Sequence, residues 1–121
     1  MIEHIGLHVK DAGMSKAFYA AALLPLGYKV LKEFPEWNVV GMGEASPDFW
    51  ISPKENAGSV HIAFGAKTRA DVDAFYDAAI KAGGKDNGKP GVRTDYSPTY
   101  YAAFVYDPDG NNIEVVCHAA A

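Results

Sequence analysis

The sequence has few of the features that would tie it to a compartment or a macromolecular partner. Its single cysteine, Cys117, has no partner for an internal disulfide, so nothing indicates an oxidising compartment. The 11 Lys and Arg residues are scattered and are outnumbered by 15 Asp and Glu, which gives a formal net charge of −4. Nucleic acids and anionic membrane surfaces attract basic patches, so we expect neither as a partner.

Long apolar runs are also missing. The most apolar stretch, residues 17–26, is much shorter than the roughly 20 residues that cross a bilayer. The N-terminus has neither the basic nor the apolar region of a signal peptide, and we therefore expect a cytoplasmic protein. With 121 residues, 49% of them hydrophobic, the chain fits one compact domain, and a domain of this size would gain stability by forming a homodimer.

The chain contains an internal repeat. A shift of 57 positions superimposes three segments: His4-Ile5 on His61-Ile62, Ala17-Phe18-Tyr19 on Ala74-Phe75-Tyr76, and Gly27 on Gly84. The register holds without gaps over a predicted strand and helix. Duplication explains this better than two similar helices that arose independently.

Each half is predicted to fold as β-α-β-β-β. Residues 3–9 and 60–66 alternate like strands, and residues 15–24 and about 69–82 show the apolar face of a helix. Asp11-Ala12-Gly13 reads as a break, whereas Thr68 with Asp71 fits a helix N-cap. Three strand-like runs follow each helix: 28–34, 37–42 and 48–52, then 85–93, 100–106 and 112–118. The sequence predicts an α+β domain over residues 1–121, with modules 1–53 and 60–121 and linker 54–59.

Two histidines occupy equivalent places in this repeat. His4 and His61 lie on the first strand of each half, so pairing of the halves about a pseudo-twofold axis would bring them together. A lone histidine on a strand is usually structural, but the symmetry of these two favours metal ligands. By strand alternation His8 lies on the same face as His4, where it could support the site.

A carboxylate stands in a strand otherwise built for burial. Asp107-Pro108-Asp109-Gly110 has strong turn chemistry and predicts a hairpin. If Ile113 and Val115 face the helices, Glu114 faces the other side of the sheet, where His4 and His61 would point. Buried carboxylates usually have a cation partner, so Glu114 is a candidate third ligand.

These segments resemble the vicinal-oxygen-chelate superfamily, which includes glyoxalase I, extradiol dioxygenases, and fosfomycin- and bleomycin-resistance proteins. The likeness covers the whole chain and rests on residues 4–9, 60–64 and 107–114. It implies a cupped mixed sheet of paired modules, commonly completed across a homodimer, that holds one divalent metal ion. Carried over by position, the metal ligands are His4, His61 and Glu114, and Glu114 is also the candidate catalytic residue.

One position departs from glyoxalase I. That enzyme has a fourth metal-facing acid on the last strand of the first module, where the repeat places Trp50. The offset from Trp50 to Glu114 is 64 rather than 57, so Asp48, on the same face, stays an alternative. Because tryptophan cannot ligate a metal, we expect three protein ligands. Two histidines and one carboxylate leave open positions and suit Fe, Mn, Ni or Zn.

The resemblance implies a metal-dependent lyase, isomerase or dioxygenase acting on a small molecule with vicinal oxygens. The alternative is a metal-free protein of the bleomycin-resistance type that binds a flat aromatic ligand. A thiol-transfer enzyme of the fosfomycin type would need a cationic pocket, for which only Arg93 and Lys89 are candidates. The candidate substrate-binding residues are His8, Trp50, Arg93, Tyr96, Tyr100 and Tyr101. The aromatic ones either line the site or cover a sheet edge or dimer interface.

Overall fold

The structure, a computed structural model, describes residues 1–121 and consists of two β-α-β-β-β modules. The elements of the first are β1 (Ile5–Val9), α1 (Ala12–Ala22), β2 (Lys29–Phe34), β3 (Val39–Gly43) and β4 (Phe49–Pro53). Those of the second are β5 (His61–Gly65), α2 (Arg69–Lys81), β6 (Lys85–Val92), β7 (Tyr101–Tyr106) and β8 (Asn112–Cys117). The α+β class and the paired modules predicted from the repeat are confirmed.

Each module forms one four-stranded mixed sheet with the same topology. The strand orders are β1-β4-β3-β2 and β5-β8-β7-β6. In each sheet the first strand pairs in parallel with the last, and the other pairs are antiparallel. β1 and β5 are therefore edge strands, and each has one side without a strand partner.

The modules share one core on the helix side of both sheets. α1 contacts α2, and Phe18 of α1 lies against Gly84, the residue before β6. Phe49 of β4 packs edge-on against Phe64 of β5, with ring centroids 5.3 Å apart. Alternation along the strands turns the remaining side chains away from this core. We call that side of each sheet its open face.

The start of α1 corrects the sequence prediction of a break at residues 11–13. The Asp11 side chain accepts a hydrogen bond from the Met14 amide at 3.0 Å, so Asp11 is the N-cap and Gly13 lies in the first turn. This cap outweighs the low helix propensity of glycine. The predicted N-cap at Thr68 of α2 is confirmed, because its hydroxyl accepts from the Asp71 amide at 3.1 Å.

Turns shorten two other predicted elements. Leu24–Leu26 forms a 3-10 turn after α1, so the helix ends at Ala22 rather than at residue 24. Pro35–Trp37 forms another, and Asn38 follows it with φ of 55°, so β3 begins at Val39 rather than at residue 37. Neither long helix has the length and apolarity that crossing a membrane would require.

A buried hydrogen bond links the two modules. The Tyr19 hydroxyl of α1 donates to Asp107 Oδ2 at 2.5 Å, in the turn between β7 and β8. The Asp107 carboxylate also accepts from the Asp109 amide and from the amide and side chain of Asn111. Burial first, and then the Asp107 charge and hydrogen bond, raise the pKa of Tyr19 well above its ordinary value.

Candidate metal centre

The second module brings His61 and Glu114 into contact on its open face. β5 and β8 run in parallel, with His61 opposite Asn112 and Ala63 opposite Glu114. His61 Nε2 lies 3.1 Å from Glu114 Oε1. The neighbouring Ile113 and Val115 are fully buried in the shared core, so the carboxylate points the other way, as the strand pattern predicted. Glu114 is only 3% exposed, and the His61 side chain is 49% exposed.

The His61 ring is held so that Nε2 presents a lone pair. Its Nδ1 lies 2.9 Å from the backbone oxygen of Asn112, and the ring stacks over Phe104 with centroids 6.3 Å apart. Because a carbonyl oxygen only accepts, Nδ1 carries the ring proton in this bond. Two acceptors, Nε2 and Glu114 Oε1, then face each other, and a proton or a metal cation must lie between them to make the contact favourable.

Glu114 has a second partner in Tyr100. The Tyr100 hydroxyl donates a short hydrogen bond to Glu114 Oε2. This bond, followed by burial, raises the pKa of Tyr100 to about 12, so the phenol keeps its proton at neutral pH. Each carboxylate oxygen of Glu114 therefore has one polar neighbour: His61 on Oε1 and Tyr100 on Oε2.

His4 lies apart from this pair within one chain. Its Nδ1 contacts Glu3 Oε1, and its side chain is 58% exposed. His4 and His61 both line one cavity of about 410 Å³ at the seam between the modules, but Glu114 does not. No three histidine, cysteine or acidic side chains come together as a metal-binding group. A single chain thus joins two of the three predicted ligands.

Strand register identifies the counterpart of Glu114 in the first module. Gly6 of β1 pairs with Trp50 of β4, as Ala63 of β5 pairs with Glu114 of β8. Since Gly6 and Ala63 are equivalent in the repeat, Trp50 occupies the position of Glu114. Asp48, the alternative acid, instead accepts a hydrogen bond from the Tyr28 hydroxyl at 2.9 Å.

Trp50 belongs to a group of aromatic rings, Phe34, Trp37 and Trp50, that we call the aromatic cluster. Trp50 stacks on Phe34 with centroids 6.2 Å apart and planes inclined by 20°, and Phe34 lies 5.6 Å from Trp37. Opposite Trp50 on β3 is Gly41, where a Cβ would lie 2.7 Å from the indole ring. A glycine is needed there for the indole to lie close over the strand. Trp37 is 64% exposed at the end of the cluster.

Residues 1–115 match the sequence profile of the Glyoxalase/Bleomycin resistance protein/Dioxygenase superfamily. The chain belongs to this superfamily. No curated protein matches the chain. The match covers both modules, including His4, His61 and Glu114.

Solved structures share the fold. A glyoxalase/bleomycin resistance protein from Albidiferax ferrireducens is 28% identical, with a TM-score of 0.80 over 95% of this chain and 96% of that one. A superfamily enzyme from Burkholderia phytofirmans is 17% identical, with a TM-score of 0.72 and 98% of both chains covered. A glyoxalase I mutant from Zea mays is 23% identical, with a TM-score of 0.71 over 95% of this chain and 46% of that one. The predicted glyoxalase/bleomycin-resistance fold is confirmed.

Two predicted substrate-binding residues, Arg93 and Tyr96, lie near the contact between His61 and Glu114. The Arg93 guanidinium lies 5.5 Å from the centre of the Phe104 ring, on which His61 also stacks, and its Nη2 donates to the Lys89 backbone oxygen at 2.6 Å. Tyr96 is 67% exposed and packs edge-on against Tyr100 at 5.0 Å. Their contacts leave part of the Arg93 charge and the Tyr96 hydroxyl free for a ligand.

Two further predicted substrate-binding residues, Tyr101 and His8, lie away from His61 and Glu114. Tyr101 is on the helix side of β7, where its hydroxyl donates to Asp73 Oδ1 at 2.6 Å and the Arg69 guanidinium lies over its ring. His8 is exposed on β1, opposite Ser52 and on the same face as Gly6. Neither contacts His61 or Glu114 in one chain.

Three residues that contact the candidate site residues were absent from the sequence predictions. Phe104 pairs with Glu114, Asn112 orients His61, and Phe34 stacks with Trp50. Each of them can be identified only once strand register is known, because it lies on a strand or segment next to the residue that it contacts. Alternation along a strand cannot show which residues of the next strand lie opposite, so the sequence did not indicate these contacts.

Proposed function

We propose that this protein is a divalent-metal-dependent enzyme, a lyase, isomerase or oxygenase that acts on a small molecule with vicinal oxygens. The observation that carries the proposal is the contact between His61 Nε2 and Glu114 Oε1, which lie 3.1 Å apart on the open face, where a cation could bind both. His4, His61 and Glu114 would hold one metal ion, with Fe, Mn, Ni and Zn as candidates. When bound, such an ion supplies Lewis-acid chemistry to two neighbouring substrate oxygens.

The chain's own residues prepare this site. The Asn112 carbonyl fixes the proton of His61 on Nδ1, which keeps Nε2 free to bind. Burial of Glu114 strengthens the attraction of its charge for a cation, because little water screens it. Glu114 is also the candidate catalytic residue and would accept a proton from the substrate.

We propose that His4 joins this pair from a second copy of the chain, in a cytoplasmic homodimer. The shared core lies on the helix side, so the open faces point away from it. His4 immediately precedes β1, and His61 is the first residue of β5. Both are edge strands with a free side that a second copy could cover. Cys117 is buried and unpaired, which agrees with a reducing compartment.

Metal binding by single variants tests this proposal. Co²⁺ is a suitable probe because it binds nitrogen and oxygen sites of this kind and can be followed by calorimetry and absorption. We expect His61→Ala and Glu114→Ala each to weaken Co²⁺ binding at least about a hundredfold, since each removes a ligand. Glu55→Ala, which removes an exposed carboxylate of the linker, is the control and should bind normally. Wild-type affinity in both ligand variants would refute the proposal.

The aromatic cluster favours a second candidate function, the binding of a flat aromatic ligand without a metal. Trp50 replaces the acid of the first module, and the exposed Trp37 offers a ring face. Because these are the two tryptophans of the chain, intrinsic fluorescence reports directly on the cluster. We expect 2,3-dihydroxynaphthalene to quench this fluorescence in the presence of EDTA if this function holds. Quenching that requires a metal would favour the enzyme instead.

A further inference from the structure

The hydroxyl of Tyr100 is committed to the protein rather than free for a substrate. It donates to Glu114 Oε2, and a carboxylate that is 3% exposed has few other donors within reach. The only other polar side-chain contact of this carboxylate is His61 at Oε1. A buried carboxylate that lacks one of its partners is costly and tends to reorient, so the phenol has a direct effect on where Oε1 points.

A closed loop holds the Tyr100 ring in this position. The Arg93 amide donates to the Tyr100 backbone oxygen at 2.7 Å, which joins the two ends of residues 93–100. The Tyr100 ring packs edge-on against Tyr96, with centroids 5.0 Å apart, and against His118, with centroids 5.2 Å apart. Backbone and ring are thus both fixed, and the hydroxyl meets Glu114 without adjustment of a mobile side chain.

The first module provides an internal comparison. Its connection between β2 and β3 is the short turn Pro35–Trp37 with Asn38, and it carries Trp50 where the second module has Glu114. Neither the carboxylate nor a phenol above it is present there. The longer loop and Tyr100 therefore occur in the module that has a carboxylate to hold.

We propose that Tyr100 is a positioning residue for metal binding: it occupies Glu114 Oε2 and so leaves Oε1, next to His61 Nε2, as the oxygen that binds the cation. This inference rests on the metal site proposed above. It assigns the phenol a role in the affinity and coordination of the metal rather than in contact with substrate. Removing the hydroxyl frees Oε2 and lets the carboxylate turn.

Tyr100→Phe removes only the hydroxyl and tests this role. We expect Co²⁺ affinity to fall about tenfold and the Co²⁺ absorption spectrum to change in intensity, because the ligand oxygens are rearranged. Tyr101→Phe is the matched control, since it removes an adjacent hydroxyl that bonds a carboxylate, Asp73, on the other face. It should leave both measurements unchanged. Unfolding of the variant would abolish Co²⁺ binding, whereas the positioning role predicts Co²⁺ that is still bound but has a changed absorption spectrum.

A second measurement needs no metal. Nitrogen–proton NMR correlations of the His61 ring should shift in metal-free Tyr100→Phe and stay in place in Tyr101→Phe, because Oε1 moves only in the first. Unchanged His61 signals together with wild-type Co²⁺ affinity in Tyr100→Phe would overturn the positioning role and leave the metal site standing. Failure of the wild type itself to bind Co²⁺ would overturn the metal site, and with it this inference.

Discussion

The hydroxyl of Tyr19 joins the first module to the turn of the second through a fully desolvated contact. Tyr19 is 0% exposed and Asp107 is 5% exposed. Asp107 also accepts three hydrogen bonds from within its own turn, so its charge is stabilised where it lies. Loss of the phenol would leave the carboxylate one donor short in a place that water does not reach.

Tyr19→Phe should therefore destabilise the protein by about 1.5–3 kcal/mol, the range for a hydrogen bond to a buried charged group. Urea unfolding at pH 7 measures this loss. Tyr101→Phe is the control, because its hydroxyl also bonds a carboxylate but in an exposed place, and its loss should be much smaller. Equal losses in the two variants would contradict the role of burial.

The same residue predicts a pH dependence. The pKa of Tyr19 in the folded protein lies above the value of 10.0 for a free tyrosine, so folding favours the protonated phenol. The stability from this preference is fully present below about pH 10 and is lost as the pH rises above it. Wild type should thus lose stability between pH 9 and 11 more steeply than Tyr19→Phe. Tyr28, whose pKa is raised to about 12, contributes equally to both proteins.

At the scale of the elements, the repeat accounts for most of what the sequence could predict. It aligned β1 with β5 and α1 with α2, and strand alternation placed Glu114 on the side of β8 away from the core. The repeat also indicated Trp50 as the counterpart of Glu114, but with an offset of 64 that left Asp48 as an alternative, and strand register decided for Trp50. These predictions succeed because periodicity and an internal repeat can be read from the sequence without knowing which elements contact each other.

The contacts between elements were beyond the sequence. The sequence left two roles open for the aromatic residues 96–101: lining the site, or covering a sheet edge or dimer interface. In the structure, the Tyr100 hydroxyl instead bonds to Glu114, and the Tyr101 hydroxyl bonds to Asp73. That difference depends on closure of the loop and on which face of β7 each ring occupies. Similarly, Asp11 has the chemistry of an N-cap, but Gly13 two residues later favoured a break.

At the scale of the whole molecule, packing explains why one chain does not bring the three proposed metal ligands together. The helix-side faces of both modules are buried in a shared core that includes Phe18, Phe49 and Phe64. The open faces then lie on the outside, where the His4 ring has its polar contact with Glu3, and His61 has its own with Glu114. A second copy that places its β1 beside β5 would supply the missing histidine by symmetry, twice per dimer.

Mixing two defective variants tests this arrangement directly. Dimers of His4→Ala alone or of Glu114→Ala alone should not bind the metal. In a mixed dimer, one site lacks both His4 and Glu114, whereas the other site has all three ligands. Random pairing makes about half of the dimers mixed, so about a quarter of the wild-type Co²⁺ content should return after the two chains are unfolded and refolded together. Metal content of the gel-filtered dimer measures this recovery.

The matched control is a mixture of His61→Ala and Glu114→Ala. In the proposed dimer His61 and Glu114 of one site come from the same chain. Every site in this mixture therefore lacks at least one of these two ligands, and no metal binding should return. Recovery in the first mixture alone requires His4 to act across the dimer, because no chain in that mixture carries an intact set of three ligands. No recovery in either mixture, from dimers whose wild type binds Co²⁺, would place all three ligands within one chain.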